Sequence, residues 1–188
     1  MNKFFIILIL SLLFSGCSKG PFQTISTPKI DKLTELIKHH PNEAWHYKER
    51  AYCYAILGLK QQAIKDVNIA LKLAPENAPL HSQMGWALFN AGAFKLALKT
   101  WEKAAELSDF QNLYDYYALA IGHWANGDDL EAMKFYDETA KKDSDFGEWL
   151  TLEEKTKHWT RKEKEAIYRI YEMWRKSYRL KPYLQKLS

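Results

Sequence analysis

The sequence predicts an all-α fold, a solenoid of about three helix pairs with flanking N- and C-terminal helices. Three observations carry this expectation. Small and bulky residues recur together at a fixed spacing of 34 residues, apolar residues recur every three or four positions, and Gly58, Gly92 and Gly127 fall where hairpins would reverse. Of the 188 residues, 47% are apolar and 14% aromatic, and six are proline, which supplies a packed core and excludes wholesale disorder or a collagen-like rod. Two cysteines exclude a disulfide-rich scaffold. The 27 basic side chains against 23 acidic ones leave a net charge of +4, too small and too evenly spread to indicate nucleic acid.

The chain opens with Lys3 and the run FFIILIL from Phe4 to Leu10, continued by LLF to Phe14. A helix of about 11 apolar residues covers roughly half of a 30 Å hydrocarbon layer, so residues 1–16 read as an export signal rather than a permanent span. Ser15 and Gly16 lead directly into Cys17, and this junction resembles the lipobox of bacterial lipoproteins. Phe14 stands three residues before the cysteine, where those signals usually carry leucine. The resemblance implies cleavage before Cys17, a diacylglyceryl group on its thiol and palmitate-type acyl chains in a bilayer. At about 0.8 kcal/mol per buried CH₂, more than one chain anchors a protein stably. Ser18 implies delivery to the periplasmic face of the outer membrane in double-membraned bacteria. Residues 17–27, rich in glycine, proline and hydroxyls, read as a tether.

A leading helix is expected over residues 28–41, with Thr27 as its cap and Pro28 in its first turn. Ile30, Leu33, Leu36 and Ile37 share one face until Pro41. His39 and His40 suit the negative end of a helix dipole. Together with His46 they make no metal site, because adjacent histidines diverge on a helix and no acidic or thiolate cluster completes the set. No metal or other cofactor is expected.

Residues 42–146 carry the repetition. Ala51, Tyr54, Gly58, Ala63, Val67 and Ala70 return 34 residues later as Gly85, Leu88, Gly92, Ala97, Trp101 and Ala104. After one additional residue they return again as Ala120, His123, Gly127, Ala132, Tyr136 and Thr139, with Asp109 standing where the first unit ends in Pro75. This pattern resembles the tetratricopeptide repeat, which implies antiparallel helix pairs meeting through a small residue and a glycine-containing turn. Ala51, Gly85 and Ala120 would let helices approach closely, while Val67, Trp101 and Tyr136 would fill the layers between them. Cys53 falls inside the first repeated helix and reads as a buried thiol.

Residues 147–188 read as a C-terminal helical cap. Thr151 with Glu154, and Thr160 with Glu163, have capping-box spacing, the second opening a helix to about Leu180. Its apolar face carries Ile167, Ile170, Tyr171, Trp174 and Tyr178, opposite Lys162, Lys164, Arg169, Arg175, Lys176 and Arg179. Three occupants of that face stay open: the solenoid itself, anionic lipid, or another protein.

In the resembled family, ligands enter the concave surface made by successive first helices. Carried across, the lining becomes Trp45, Lys48, Tyr52 and Ile56, then Ser82, Trp86, Phe89 and Asn90, then Tyr117, Ile121, Trp124 and Ala125. The set is mostly aromatic and lacks the lysine, arginine and asparagine clamp that many chaperone-tail binders use for a terminal carboxylate. Apolar or helical peptide recognition is therefore expected, unless residues 28–40 or 161–180 fill the groove themselves. No glycine-rich phosphate loop, nucleophile elbow or HExxH pair is present, so catalysis is not expected. The reading is a membrane-anchored scaffold or assembly factor of the bacterial envelope, with a protein or peptide ligand. The alternative is an immunity lipoprotein that neutralises an envelope-acting toxin.

Overall fold

The computed structural model describes residues 21–184. The export signal, Cys17 and Ser18 lie outside the described residues, as do the side chains of Tyr178 and Arg179. The chain folds as nine α-helices among the described residues: α1 (Pro21–His39), α2 (Ala44–Ile56), α3 (Lys60–Leu73), α4 (Ala78–Asn90), α5 (Phe94–Leu107), α6 (Leu113–Ala125), α7 (Asp129–Lys142), α8 (Trp149–Lys155) and α9 (Arg161–Leu184). A 3₁₀ turn over Ser144–Gly147 joins α7 to α8. No strand occurs among these residues, and no helix among them is long and apolar enough to cross a membrane.

Three hairpins, α2/α3, α4/α5 and α6/α7, stack in sequence order, and the first helices of successive hairpins lie side by side. Each hairpin reverses in the same way. Gly58, Gly92 and Gly127 take φ of +73°, +74° and +86°, the left-handed region in which a Cβ is costly. The N–H of the following residue then reaches back to the helix, Leu59 to Tyr54 O at 2.8 Å, Ala93 to Leu88 O at 2.8 Å and Asp128 to His123 O at 3.0 Å. The junctions between hairpins repeat too: Tyr47 donates to Pro41 O at 3.0 Å, and His81, one period later, donates to Pro75 O at 2.8 Å. Between α5 and α6, Asp109 and Phe110 both adopt positive φ, 51° and 53°, and this is where the extra residue of the third unit is absorbed.

Packing follows the small-residue pattern. Ala51, Ala63, Ala70, Ala97 and Ala120 have no exposure, and Trp101 is 1% exposed with its indole N–H on Ser82 O at 3.0 Å. Gly85 is required for this: a Cβ there would fall inside the Trp101 indole, whose buried ring has nowhere to move. A bidentate pair between Arg50 and buried Asp66, at 2.7 and 2.9 Å, ties α2 to α3, and Arg50 also donates to Thr34 on α1 at 3.0 Å. Its oxygens satisfied by a planar fork, Asp66 is an acid the interior tolerates. Cys53 is a free, buried thiol on α2, its pKa pushed up by burial.

Both ends of the solenoid differ in detail from the sequence expectation. The first helix starts at Pro21, so Thr27 is not its cap and Pro28 lies inside it, withholding one backbone N–H. Residues 21–27, expected as part of a tether, are helical. Thr151 does not cap α8 either; it lies within the helix and donates to Asp145 O at 2.5 Å and Glu148 O at 3.0 Å. Thr160 and Glu163 do form a reciprocal capping box, with Thr160 N to Glu163 Oε2 at 2.8 Å and Glu163 N to Thr160 Oγ1 at 3.3 Å. From there α9 packs on α6 and α7 through Ala166, Ile167, Ile170 and Tyr171, all buried, and Trp174 donates to Asp137 on α7 at 2.8 Å. Of the three open occupants for this apolar face, the solenoid itself takes it.

Gly85→Ala is expected to cost about 2–3 kcal/mol by overpacking. Gly58→Ala, where no atom lies within 4 Å of the added Cβ, should cost about 1–2 kcal/mol from backbone strain alone. Urea unfolding midpoints of the two variants give the comparison, and equal losses would contradict the packing assigned to Trp101.

Candidate protein-binding groove

The first helices α2, α4 and α6 form the inner wall of the solenoid, and their exposed edges define a groove. Trp86 on α4 is its hub. The indole lies 4.8 Å from the Trp101 ring, 5.9 Å from Tyr117 on α6 and 5.5 Å from Trp159, between centroids. Trp159 belongs to the connection between α8 and α9, and it also contacts Tyr117 at 5.2 Å. The C-terminal segment therefore lays an aromatic side chain across the inner wall between α4 and α6.

Polar contacts fix that segment. Asn90, at the end of α4, donates to Glu163 Oε1 at 2.6 Å and accepts from the Thr160 hydroxyl at 3.0 Å. Its own carbonyl accepts from Lys162 Nζ at 2.7 Å, a cation at the negative end of a helix. Burial pushes the Lys162 ammonium below the usual lysine range, only partly offset by Glu163. Glu163 is 9% exposed, and both its oxygens are held by neutral donors, Asn90 and the Thr160 N–H.

Two of the cavities lined by described residues lie along the wall, with Trp86 and Tyr117 lining both. One, of about 320 Å³, lies under the C-terminal segment and is lined by Tyr52, Ile56 and Asn90 from the repeats and by His158, Trp159, Thr160 and Glu163. Tyr52 closes its far side, donating to Gln83 O at 3.0 Å. Its phenol is pushed well above the usual range, first by burial and then by Glu163 and Glu49. The other cavity, of about 400 Å³, lies between the N-terminal ends of α4 and α6, with Pro79, Ser82 and Gln83 on one side and Asn112, Tyr114 and Asp115 on the other. Burial and the neighbouring Tyr114, Glu163 and Asp115 likewise raise the Tyr117 phenol.

Of the expected lining, the structure thus gathers Tyr52, Ile56, Ser82, Trp86, Asn90 and Tyr117 at the two cavities. The rest lie elsewhere. Phe89 and Ile121 are buried in the core at 1% and 0% exposure, and Trp124 and Ala125 are half-buried against it. Trp45 is 57% exposed, and Lys48 is buried with its ammonium 3.3 Å from the Trp45 ring centroid and 3.4 Å from Glu49. Trp159, Thr160 and Glu163 join the groove from outside the expected set. A capping box preceded by a tryptophan was their signal, but nothing local says that this tryptophan reaches α4.

The stacked hairpins and inner groove define a class, the helical-repeat scaffold. A tetratricopeptide repeat model matches residues 28–152, and the chain belongs to that family, whose members are protein-interaction scaffolds and generally not enzymes. Among curated proteins it is similar to the bovine SGT1 homolog, 26% identical over 98 residues, covering 52% of this chain and 29% of that protein. It also resembles the Hsp70-Hsp90 organizing protein 2 of Arabidopsis thaliana, 32% identical over 77 residues, covering 41% of this chain and 14% of that one. The chain thus spans less than a third of the length of these relatives. Among solved structures, a thermophilic TPR protein of Thermus thermophilus superimposes with TM-score 0.54 at 21% identity, covering 64% of this chain and 67% of that one. MamA of Desulfovibrio magneticus superimposes with TM-score 0.55 at 18% identity, covering 82% of this chain and 94% of that one.

Asn90→Asp should replace a charge-assisted bond to Glu163 by repulsion and loosen the C-terminal segment by about 2 kcal/mol. Tryptic cleavage after Lys157 and Arg161 should then accelerate more than about tenfold. Unchanged cleavage would contradict the docking role of Asn90.

Proposed function

We propose that this chain is a lipid-anchored protein-binding scaffold of the bacterial envelope, which holds a segment of its partner in the open half of the groove. The observation that carries the binding half is the aromatic cavity between α4 and α6, in a fold whose family works by protein interaction. Its walls are large, rigid rings, the side chains that contribute most at interfaces while losing little conformational freedom. The anchor rests on the apolar run ending at Cys17. Since α1 starts at Pro21, four residues after that cysteine, an acylated thiol could stand at most about 14 Å of chain from the start of α1. The scaffold would work close to the periplasmic surface of the outer membrane, as an assembly factor for a machine there.

The groove chemistry narrows the partner. The Arabidopsis relative bears the names Hsp70 and Hsp90, yet a partner offering an acidic tail meets no lysine or arginine among the residues lining either cavity. An apolar or aromatic segment suits these walls better.

A photo-crosslinking side chain at Gln83, beside the open cavity, should capture the partner in intact cells, while the same group at exposed Glu102 on α5 should not. Captured complexes should fractionate with membranes and become soluble in a Cys17→Ala background. Capture of envelope-machine subunits supports the assembly reading, and capture of a single secreted toxin selects the immunity reading. Crosslinks from Glu102 alone would overturn the groove, and soluble complexes with Cys17 intact would overturn the anchor.

A further inference from the structure

We propose that the open cavity between α4 and α6 receives a basic side chain, a lysine or arginine, presented by the partner segment. This rests on the groove being the binding surface and names the chemistry that surface selects. Trp86, Tyr114 and Tyr117 wall the cavity with aromatic rings, and Tyr114 is 64% exposed, its ring available to a visitor. Asp115 lies beside them at 3% exposure, its carboxylate accepting from Ser108 Oγ at 2.5 Å. Neither Asp115 nor Glu163 forms an ion pair among the described residues. In a chain with 27 lysines and arginines, none lines this cavity or its neighbour. Aromatic rings beside a carboxylate attract an ammonium or guanidinium, because the quadrupole and the charge act together.

The first repeat shows the same chemistry satisfied internally. Lys48 places its ammonium over Trp45 and close to Glu49, and is buried in doing so. Trp45 corresponds to Tyr114 in the third unit, so the exposed aromatic recurs. The cation does not, because the position of Lys48 becomes Tyr117. The third unit therefore keeps the aromatic wall, carries its carboxylate at Asp115 in place of His46, and leaves the place of the ammonium to a visitor. An acidic side chain there would instead face Asp115.

An acid in the first turn of α6 also stabilises that helix, and the experiment separates the two roles. Fluorescein-labelled peptides of one apolar helical frame, about twelve residues long, carry lysine, arginine, norleucine or glutamate at the centre. Anisotropy titrations against the full chain in detergent should give lysine and arginine an advantage of about tenfold over norleucine, with glutamate weakest. Asp115→Asn and Tyr114→Ala should each cut that advantage below threefold without weakening the norleucine peptide more than twofold. Tyr114→Ala removes a mostly exposed ring, so it keeps the experiment decisive if Asp115→Asn folds poorly. Glu102→Gln should leave every affinity unchanged. Equal affinities for lysine and norleucine would overturn this inference while leaving the groove as the binding surface. A preference for glutamate, or a stability loss in Asp115→Asn with the lysine preference intact, would also overturn it. Failure of every peptide to bind would remove the groove reading as well.

Discussion

A stack of helical hairpins has one hairpin with nothing behind it, and the apolar face left there must be covered. In this protein α9 covers it, and much of the rest follows. Ala166, Ile167, Ile170 and Tyr171 bury themselves against α6 and α7, and the Trp174–Asp137 hydrogen bond sets the register. Burying side chains of this size contributes about 1.5–3 kcal/mol each for the larger ones before entropy is counted. A helix held this firmly also fixes what precedes it. The connection from α8 runs across the inner wall on its way into α9, and Trp159 and Glu163 land on Trp86, Tyr117 and Asn90.

The cap therefore shapes the groove. Under the connecting segment the wall is roofed by the chain's own aromatic and polar groups; beyond it, between the N-terminal ends of α4 and α6, the cavity stays open. The two halves share Trp86 and Tyr117, so a partner touching the open half also touches the rings that hold the cap. Electrostatics follow the same division. Lysines gather outside, where Lys60 and Lys162 donate to the carbonyls at the end of the second hairpin's first helix and its turn, while the acids Asp115 and Glu163 face the cavities.

The repeat itself was legible because its physics is local. Glycine at a left-handed turn, alanine at a helix crossing and an indole opposite Gly85 each leave a mark at a fixed spacing, and Gly58, Gly92 and Gly127 all turn the chain as their positions imply. What the spacing could not express was competition between surfaces. Phe89 and Ile121 sit at groove positions of the repeat but are drawn into the core, while Lys48 is claimed by its neighbour Trp45. Trp159 was the least legible. The residue before a helix cap usually folds back on its own first turn, but Lys164 occupies the place it would meet. Its ring reaches α4 instead, more than seventy residues away in sequence, a contact that no local pattern encodes.

The central claim is that α9 is an integral layer of the solenoid rather than an appendage. Native-state hydrogen exchange on the full chain, followed by mass spectrometry, tests it most directly. The account predicts that amides over residues 163–174 exchange as slowly as those of α6 and α7, and lose protection together with them as urea is added. Exchange of that segment within seconds at neutral pH, with α6 and α7 still protected, would contradict it.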